Sequence, residues 1–185
     1  MRIVAGSHRG RRLETPADDR IRPTSDRIRE SLFNILHHKL DGFTGKRVLD
    51  GFAGTGALGF EALSRGAASA LFVDRNRDAL ALCRRNAATL GLTAKSDFRI
   101  ADLTRWAAGA ETFDLVLLDP PYGEGLGGAA LAALAAAGAL APDAIAVIES
   151  DKSQPEAIPP GFALVDRRDY GRTRIELVGL EAKGL

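Results

Sequence analysis

The sequence predicts an α/β fold: a doubly wound, largely parallel sheet that ends in an antiparallel hairpin. Two patterns carry that expectation, and the chain length bounds it. From Arg47 onward short apolar runs alternate with helical stretches, the pattern of βαβ units and a parallel sheet. Near the end, two apolar runs are separated only by Asp169-Tyr170-Gly171-Arg172, a connection too short for anything but an antiparallel pair. A chain of 185 residues has the length of one domain, enough to bury roughly 70% of its unfolded surface.

Residues 2–14 hold two short extended segments around Gly6-Ser7-His8-Arg9-Gly10, which predicts a small hairpin. Residues 15–23 mix proline, aspartate and arginine without periodicity and read as a loop. A helix follows. Thr24, Ser25 and Asp26 are its candidate N-caps, and Ile28, Leu32, Ile35 and Leu36 fall on one face. Gly42 and Gly45 end it. The five expected parallel strands are residues 47–50, 70–74, 98–101, 115–119 and 144–149, with helices between them, among them 79–90 and 129–138. The closing hairpin pairs 162–168 with 173–179. No repeat or second domain is visible. The expected organisation is an N-terminal arm over 1–45 on a core over 46–185, one compact domain overall.

The hydrophobic share of 45% and charged share of 26% are those of a soluble globular protein. The one cysteine, Cys83, cannot form an internal disulfide, which fits a reducing cytoplasm. No apolar run approaches the roughly 20 residues of a membrane span, and the first residues lack the apolar centre of a secretory signal. A cytoplasmic protein without membrane contact is expected. The net charge of +1 is unremarkable, but Arg2, Arg9, Arg11 and Arg12 all precede the first acid, Glu14. Clustered guanidinium groups suit a phosphate backbone. Asp18, Asp19, Asp26 and Glu30, interleaved with the later arginines, equally suit a solvated, salt-bridged surface.

Three features carry chemistry. At the end of the first core strand, Asp50-Gly51-Phe52-Ala53-Gly54-Thr55-Gly56-Ala57-Leu58-Gly59 contains a GxGxxG pattern, whose glycines permit a tight turn and close approach of a ligand to the backbone. The pattern alone also fits a nicotinamide-dependent oxidoreductase. Asp50 argues against that, being a poor neighbour for a pyrophosphate and a good one for a cationic amine. Asp74, ending the next strand, suits the two hydroxyls of a ribose, or else caps the following helix. Asp102, after the third, suits an adenine amino group, or else caps a turn with Thr104. The decisive motif is Asp119-Pro120-Pro121-Tyr122, after Leu115-Val116-Leu117-Leu118. An exocyclic base amine is a weak nucleophile because its lone pair is delocalised into the ring. The Asp119 carboxylate and the Pro120 carbonyl would draw its hydrogens out of plane, and consecutive prolines stiffen the loop that holds them. Tyr122 offers a face on which a base can stack.

These motifs resemble those of class I amino-methyltransferases. Arg2-Ile3-Val4-Ala5-Gly6-Ser7-His8-Arg9-Gly10-Arg11-Arg12-Leu13 and Arg22-Pro23-Thr24-Ser25-Asp26-Arg27-Ile28-Arg29-Glu30-Ser31-Leu32-Phe33-Asn34 are similar, more specifically, to the bacterial 16S rRNA (guanine(966)-N(2))-methyltransferases. So are Asp119-Pro120-Pro121-Tyr122-Gly123-Glu124-Gly125-Leu126 and Tyr170-Gly171-Arg172-Thr173. The resemblance spans nearly the whole chain. Gly51 departs from it, standing where the family carries a larger apolar residue.

The resemblance implies a seven-stranded Rossmann-like sheet whose last strand is antiparallel and inserted beside the fifth. It implies S-adenosylmethionine as methyl donor and a guanine of 16S rRNA as acceptor, within an assembling or assembled small ribosomal subunit. Asp50, Phe52, Ala53, Gly54 and Gly56 would line the methionine end, Asp74 the ribose and Asp102 the adenine. Asp119, Pro120 and Tyr122 would hold the base, Asp119 bordering the cofactor as well, and Thr24 would close over it. Arg2, Arg9, Arg11, Arg12 and Arg172 would meet RNA. A monomer without metal is expected, since His37-His38 lacks a ligand constellation around it. Cys83, Trp106 and Phe113 read as packing residues. Adenine N6 in DNA, a glutamine amide in a protein, the oxidoreductase and a catalytically silent RNA-binding module remain as alternatives.

Overall fold

A computed structural model describes residues 1–16, 25–107 and 111–181. The chain divides into two compact units, Met1–Ile100 and Ala101–Leu185.

In the first unit the N-terminal segments pair across the chain: Ile3 N–H donates to the Arg11 carbonyl (3.0 Å), and Gly10 N–H to the Ile3 carbonyl (2.9 Å). Regular strands do not form. A single antiparallel bridge joins Arg2 to Arg12, and a short 3-10 turn, Gly6–His8, occupies the tip. Helix α1, Asp26–Lys39, is capped by the Ser25 side chain, which accepts from Ile28 N–H at 3.3 Å; Thr24 and most of the expected loop lie outside the described residues. Leu32, Phe33 and Leu36 are buried on α1, while Ile28 and Ile35 are only half-buried. Arg29 takes a core position, 1% exposed, because its guanidinium donates to the Arg2 carbonyl (2.6 Å) and to Asp26 (2.8 Å). A charge tolerates burial only when paired and hydrogen-bonded in this way.

Strand β1 (Arg47–Gly51), helix α2 (Ala57–Ser64), strand β2 (Ser69–Asp74), helix α3 (Arg77–Leu90) and strand β3 (Ser96–Ile100) follow. The pairs β1–β2 and β2–β3 are parallel. Val48, Leu49, Leu71, Phe72 and Val73 are buried, the continuous apolar run that a strand covered on both faces requires. Phe60 and Phe72 approach to 4.6 Å, and Phe72 stacks on Phe98 at 5.3 Å.

The second unit holds strand β4 (Phe113–Leu118), helix α4 (Leu126–Ala136), and strands β5 (Leu140–Asp151), β6 (Phe162–Tyr170) and β7 (Thr173–Leu180). β4 and β5 are parallel; β7 runs antiparallel to both β5 and β6. Helix α4 begins three residues before its expected start, running through Gly127-Gly128. Glycine is a poor helix residue, which hid the first turn, but a Cβ at Gly127 would stand 2.8 Å from Ile148, and one at Gly128 would overlap the Ala157 carbonyl. Close packing of the helix therefore requires both. Strand β5 also starts earlier than expected, at Leu140; the strand-poor pair Pro142-Asp143 masked its first residues in the sequence.

The seven strands form one sheet in the order β3-β2-β1-β4-β5-β7-β6: five parallel strands, with the last inserted antiparallel beside the fifth. Among the described residues, no helix is long and apolar enough to cross a membrane.

Candidate active site

The turn after β1 is built on unusual backbone. Phe52 has φ 57, Gly54 φ 54 and Gly56 φ 79. A left-handed residue that is not glycine costs of order 1 kcal/mol and persists only where its surroundings enforce it. Here they do: Ala53 N–H donates to the Val73 carbonyl (3.1 Å), and Gly54 N–H to Asp74 Oδ2 (3.0 Å). Asp74 Oδ1 accepts from Asn76 N–H (2.8 Å), and Asn76 rather than Asp74 caps α3. Below the turn, Asp50 is 2% exposed and accepts from Gly59 N–H at 2.8 Å. Burial pushes its carboxyl up to about 8, with the Asp74 charge adding to the rise and the Gly59 amide opposing it. A Cβ at Gly59 would strike the Phe72 ring and stand 3.0 Å from Asp50 Oδ2. The third glycine of the pattern thus lets α2 approach β2. Gly51 is buried within β1, opposite Val73.

Asn86, in α3, carries no motif signal and yet braces this turn. Its Nδ2 donates to the Thr55 carbonyl (3.0 Å) and to the Glu14 carbonyl (3.1 Å), while its Oδ1 accepts from Glu14 N–H (2.8 Å). A buried polar residue among Leu82, Cys83, Ala87 and Leu90 was the available sign.

The cradle suits S-adenosylmethionine. A Cβ at Gly54 would meet only the Phe52 carbonyl, at 3.9 Å, so a ligand can reach that backbone. A desolvated carboxylate at Asp50 matches a cationic amine. The half-exposed Asp74 keeps lone pairs available for two hydroxyls, since each oxygen accepts one backbone N–H and has capacity for more.

In the second unit, Asp119 follows β4 directly and is half-buried, Pro120 is buried, and Pro121 and Tyr122 are exposed. The Tyr122 hydroxyl donates to Glu149 Oε1 at 2.8 Å. Glu149, unmarked in the sequence reading, is an acid at the end of the apolar run Ala144–Ile148 of β5. Burial, then the Glu149 carboxylate, raises the phenol above its ordinary pKa. Asp102 Oδ1 accepts from Thr104 N–H (3.0 Å) and from Thr104 Oγ1 (2.7 Å), so it does cap the short turn Leu103–Arg105.

The expected RNA-contacting arginines differ in their engagement. Arg2 pairs with Asp26 (2.8 Å), Arg11 donates to the Thr89 carbonyl (2.7 Å), and Arg172 pairs with Asp151 (2.8 Å). Arg9 and Arg12 are exposed and form no ion pair among the described residues. Arg2 and Arg12, with Met1, Leu13 and Asp26, line a cleft of about 560 Å³. Thr55 of the glycine turn reaches Met1 Sδ at 3.6 Å. Cys83 and Phe113 are buried, Trp106 half-buried. Among the described residues no group of three His, Cys, Asp or Glu side chains is arranged to hold a metal.

A sheet of this order, with a glycine turn after its first strand and Asp-Pro-Pro-Tyr after its fourth, defines a class I methyltransferase. The "Conserved hypothetical protein 95" family matches residues 1–179, and the chain belongs to that family of S-adenosylmethionine-dependent methyltransferases. Among its relatives, the ribosomal RNA small subunit methyltransferase D of Haemophilus influenzae is 34% identical over 175 residues, 92% of this chain and 89% of that protein. The protein of the same name from Escherichia coli K12 is 34% identical over 185 residues, 100% of this chain and 92% of the other. Among solved structures, the Escherichia coli chain yhhF, described as a methyltransferase, superposes with a TM-score of 0.86 at 32% identity, covering 99% of both chains.

Proposed function

We propose that this enzyme methylates the exocyclic N2 amine of a guanine in small-subunit ribosomal RNA. It works as a cytoplasmic monomer on an assembling or assembled subunit, with residues 1–45 as the RNA-contacting arm and 46–185 as the catalytic core. The observation that carries the reading is the loop after β4, where Asp119 and the Pro120 carbonyl stand beside a tethered, exposed Tyr122. The names of its relatives support the choice of RNA.

S-adenosylmethionine, when bound, supplies a methyl group on a sulfonium sulfur. Asp50 holds the methionine amine, Phe52, Ala53, Gly54 and Gly56 present backbone to the methionine end, and Asp74 accepts from the ribose hydroxyls. Asp102 would accept from the adenine amino group, and Asp119 would border the site. Toward the acceptor, the Asp119 carboxylate and Pro120 carbonyl each accept a hydrogen bond from the base amine and turn its lone pair out of the ring. Asp119 then holds the proton that the amine sheds. Tyr122 stacks on the base, an interaction worth roughly 1–3 kcal/mol. Fixing the base on these residues before reaction would supply much of the remaining acceleration. Arg2, Arg9, Arg11, Arg12 and Arg172 meet the RNA backbone.

The test is transfer of labelled methyl to unmethylated small subunits, naked 16S rRNA and duplex DNA, followed by nucleoside analysis. N2-methylguanosine from an RNA substrate is expected. The Asp119→Ala variant should lose roughly a hundred- to a thousandfold in kcat, the scale lost with one preorganised electrostatic group, and still bind S-adenosylhomocysteine. N6-methyladenine from DNA, or undiminished turnover in the variant, would overturn the reading.

A further inference from the structure

The Tyr122 side chain is divided between surface and interior. The residue is 43% exposed, while its hydroxyl turns inward and donates to Glu149 Oε1 at 2.8 Å. Glu149 is only 5% exposed and sits within the sheet, opposite Ile175 in the β5–β7 ladder. Thr173, the first residue of β7, is a further hydrogen-bond partner of the phenol. One residue beyond Tyr122, a Cβ at Gly123 would overlap the Gln154 amide, so the loop lies against the segment that follows β5. Both ends of the tyrosine's short path are therefore fixed from one side.

Core packing alone does not account for Glu149. Burying a carboxylate is costly, and an apolar side chain there would simply continue the run Ile145-Ala146-Val147-Ile148. What the carboxylate provides is a charge-assisted hydrogen bond, shorter and stronger than a neutral one, to the single polar atom of an otherwise exposed ring. A tyrosine held in this way has lost its rotamer freedom before any ligand arrives, so stacking no longer has to supply that ordering.

We propose that Glu149 is a positioning residue of the methyl-transfer reaction: through its hydrogen bond it locks the Tyr122 ring as the platform for the target base. This rests on the function proposed above. In this role the carboxylate acts on the base through the tyrosine.

The experiment is a double-mutant cycle on kcat/KM for RNA, using Glu149→Ala, Tyr122→Phe and the pair, with Glu149→Gln as the conservative variant. Each of the first two should lose roughly ten- to a hundredfold, the range for a hydrogen bond to a charged partner. The pair should lose no more than the worse single variant, because one bond is broken either way. Glu149→Gln keeps an acceptor oxygen without the charge and should recover part of the loss. Binding of S-adenosylhomocysteine should be unchanged throughout. Tyr122→Phe alters an exposed residue and keeps Glu149, so it reports on the bond even if Glu149→Ala fails to fold. Wild-type kcat/KM in Tyr122→Phe, or losses that multiply in the pair, would overturn the proposal while leaving the RNA reading intact. A wild-type enzyme inactive on every RNA substrate would overturn both.

Discussion

Asp50 sits with almost none of its surface in water, 2% exposed, and its carboxyl titrates at about 8 against an ordinary 3.8, chiefly because of burial. In the unfolded chain the same group ionises near its ordinary value. Between those two values the folded protein keeps a proton that the unfolded chain has released. Stability therefore falls as pH rises through that window, by at most about 1.4 kcal/mol per pH unit. A cation set against the carboxylate favours the ionised form and recovers that energy as binding. Asp50→Asn removes the titration while leaving an oxygen for Gly59 N–H. The variant should melt at a higher temperature than the wild type near pH 8, converge with it in acid, and bind S-adenosylhomocysteine less tightly. Thermal melts across this range, with and without ligand, check it; a wild-type pH profile in the variant would refute the raised titration, and wild-type affinity for S-adenosylhomocysteine would remove Asp50 from the amine-binding role. Asp50, Asp74 and Asp119 were visible in the sequence because each stands where an apolar run turns polar, and strand ends are where such switches fall. Glu149 ends an apolar run in the same way, but nothing local marks its partner 27 residues away; Asn86 and Glu61 lie within helices, and their partners 72 and 57 residues away leave no local pattern.

Helix α2 shows how one element serves two neighbours. Its N-terminus meets Asp50 through Gly59, and its outer side holds the N-terminal segment. Glu61, fully buried, accepts from Val4 N–H (2.8 Å), Ala5 N–H (3.1 Å) and Arg65 Nε (2.7 Å). One turn on, Ser64 Oγ accepts from His8 N–H (2.9 Å) and donates to the Ala5 carbonyl (2.6 Å). Gly6 crosses so close that a Cβ would overlap the Ser64 carbonyl, and its φ of 81 is one that other residues rarely adopt. Glu61→Ala would strand two backbone donors and deprive Arg65 of its counter-charge, leaving it the Asn34 side chain (3.0 Å); breaking a buried pair costs about 3–5 kcal/mol. Glu61→Gln keeps one acceptor and should cost less. Denaturant midpoints measure the loss, and limited proteolysis after Arg9, Arg11 or Arg12 reports release of the segment. Unchanged midpoint and cleavage in Glu61→Ala would mean that the segment is held by other contacts. The sequence showed two extended segments here but not their attachment, because Phe-Glu-Ala-Leu-Ser reads locally as an ordinary helical stretch.

At the scale of the whole molecule, alternation of apolar runs with helices and one four-residue connection were enough to set the sheet's class, since period and connection length constrain pairing directly. The boundaries that slipped, at α4 and β5, did so where glycine or proline obeyed tertiary packing over local preference. Charge behaves likewise: composition counted the arginines but could not say which were already committed. With a net charge of +1 the protein has little overall attraction for RNA, so affinity must come from a few local contacts. Arg2, Arg11 and Arg172 would each have to exchange an existing partner for a phosphate, and the exchange returns little. Arg9 and Arg12, exposed and without an ion pair among the described residues, give up only water. Replacing both by alanine should weaken rRNA binding strongly and lower the slope of log affinity against log salt by roughly 1.5, as expected for two lost phosphate contacts. Arg172→Ala should loosen the β6–β7 turn, by breaking its pair with Asp151, and lower the salt slope by less than the Arg9/Arg12 double variant does, since one contact is lost and a partner was already present. Binding titrations at several salt concentrations separate the two effects. An unaltered slope in the Arg9/Arg12 double variant would place the RNA surface elsewhere on the protein.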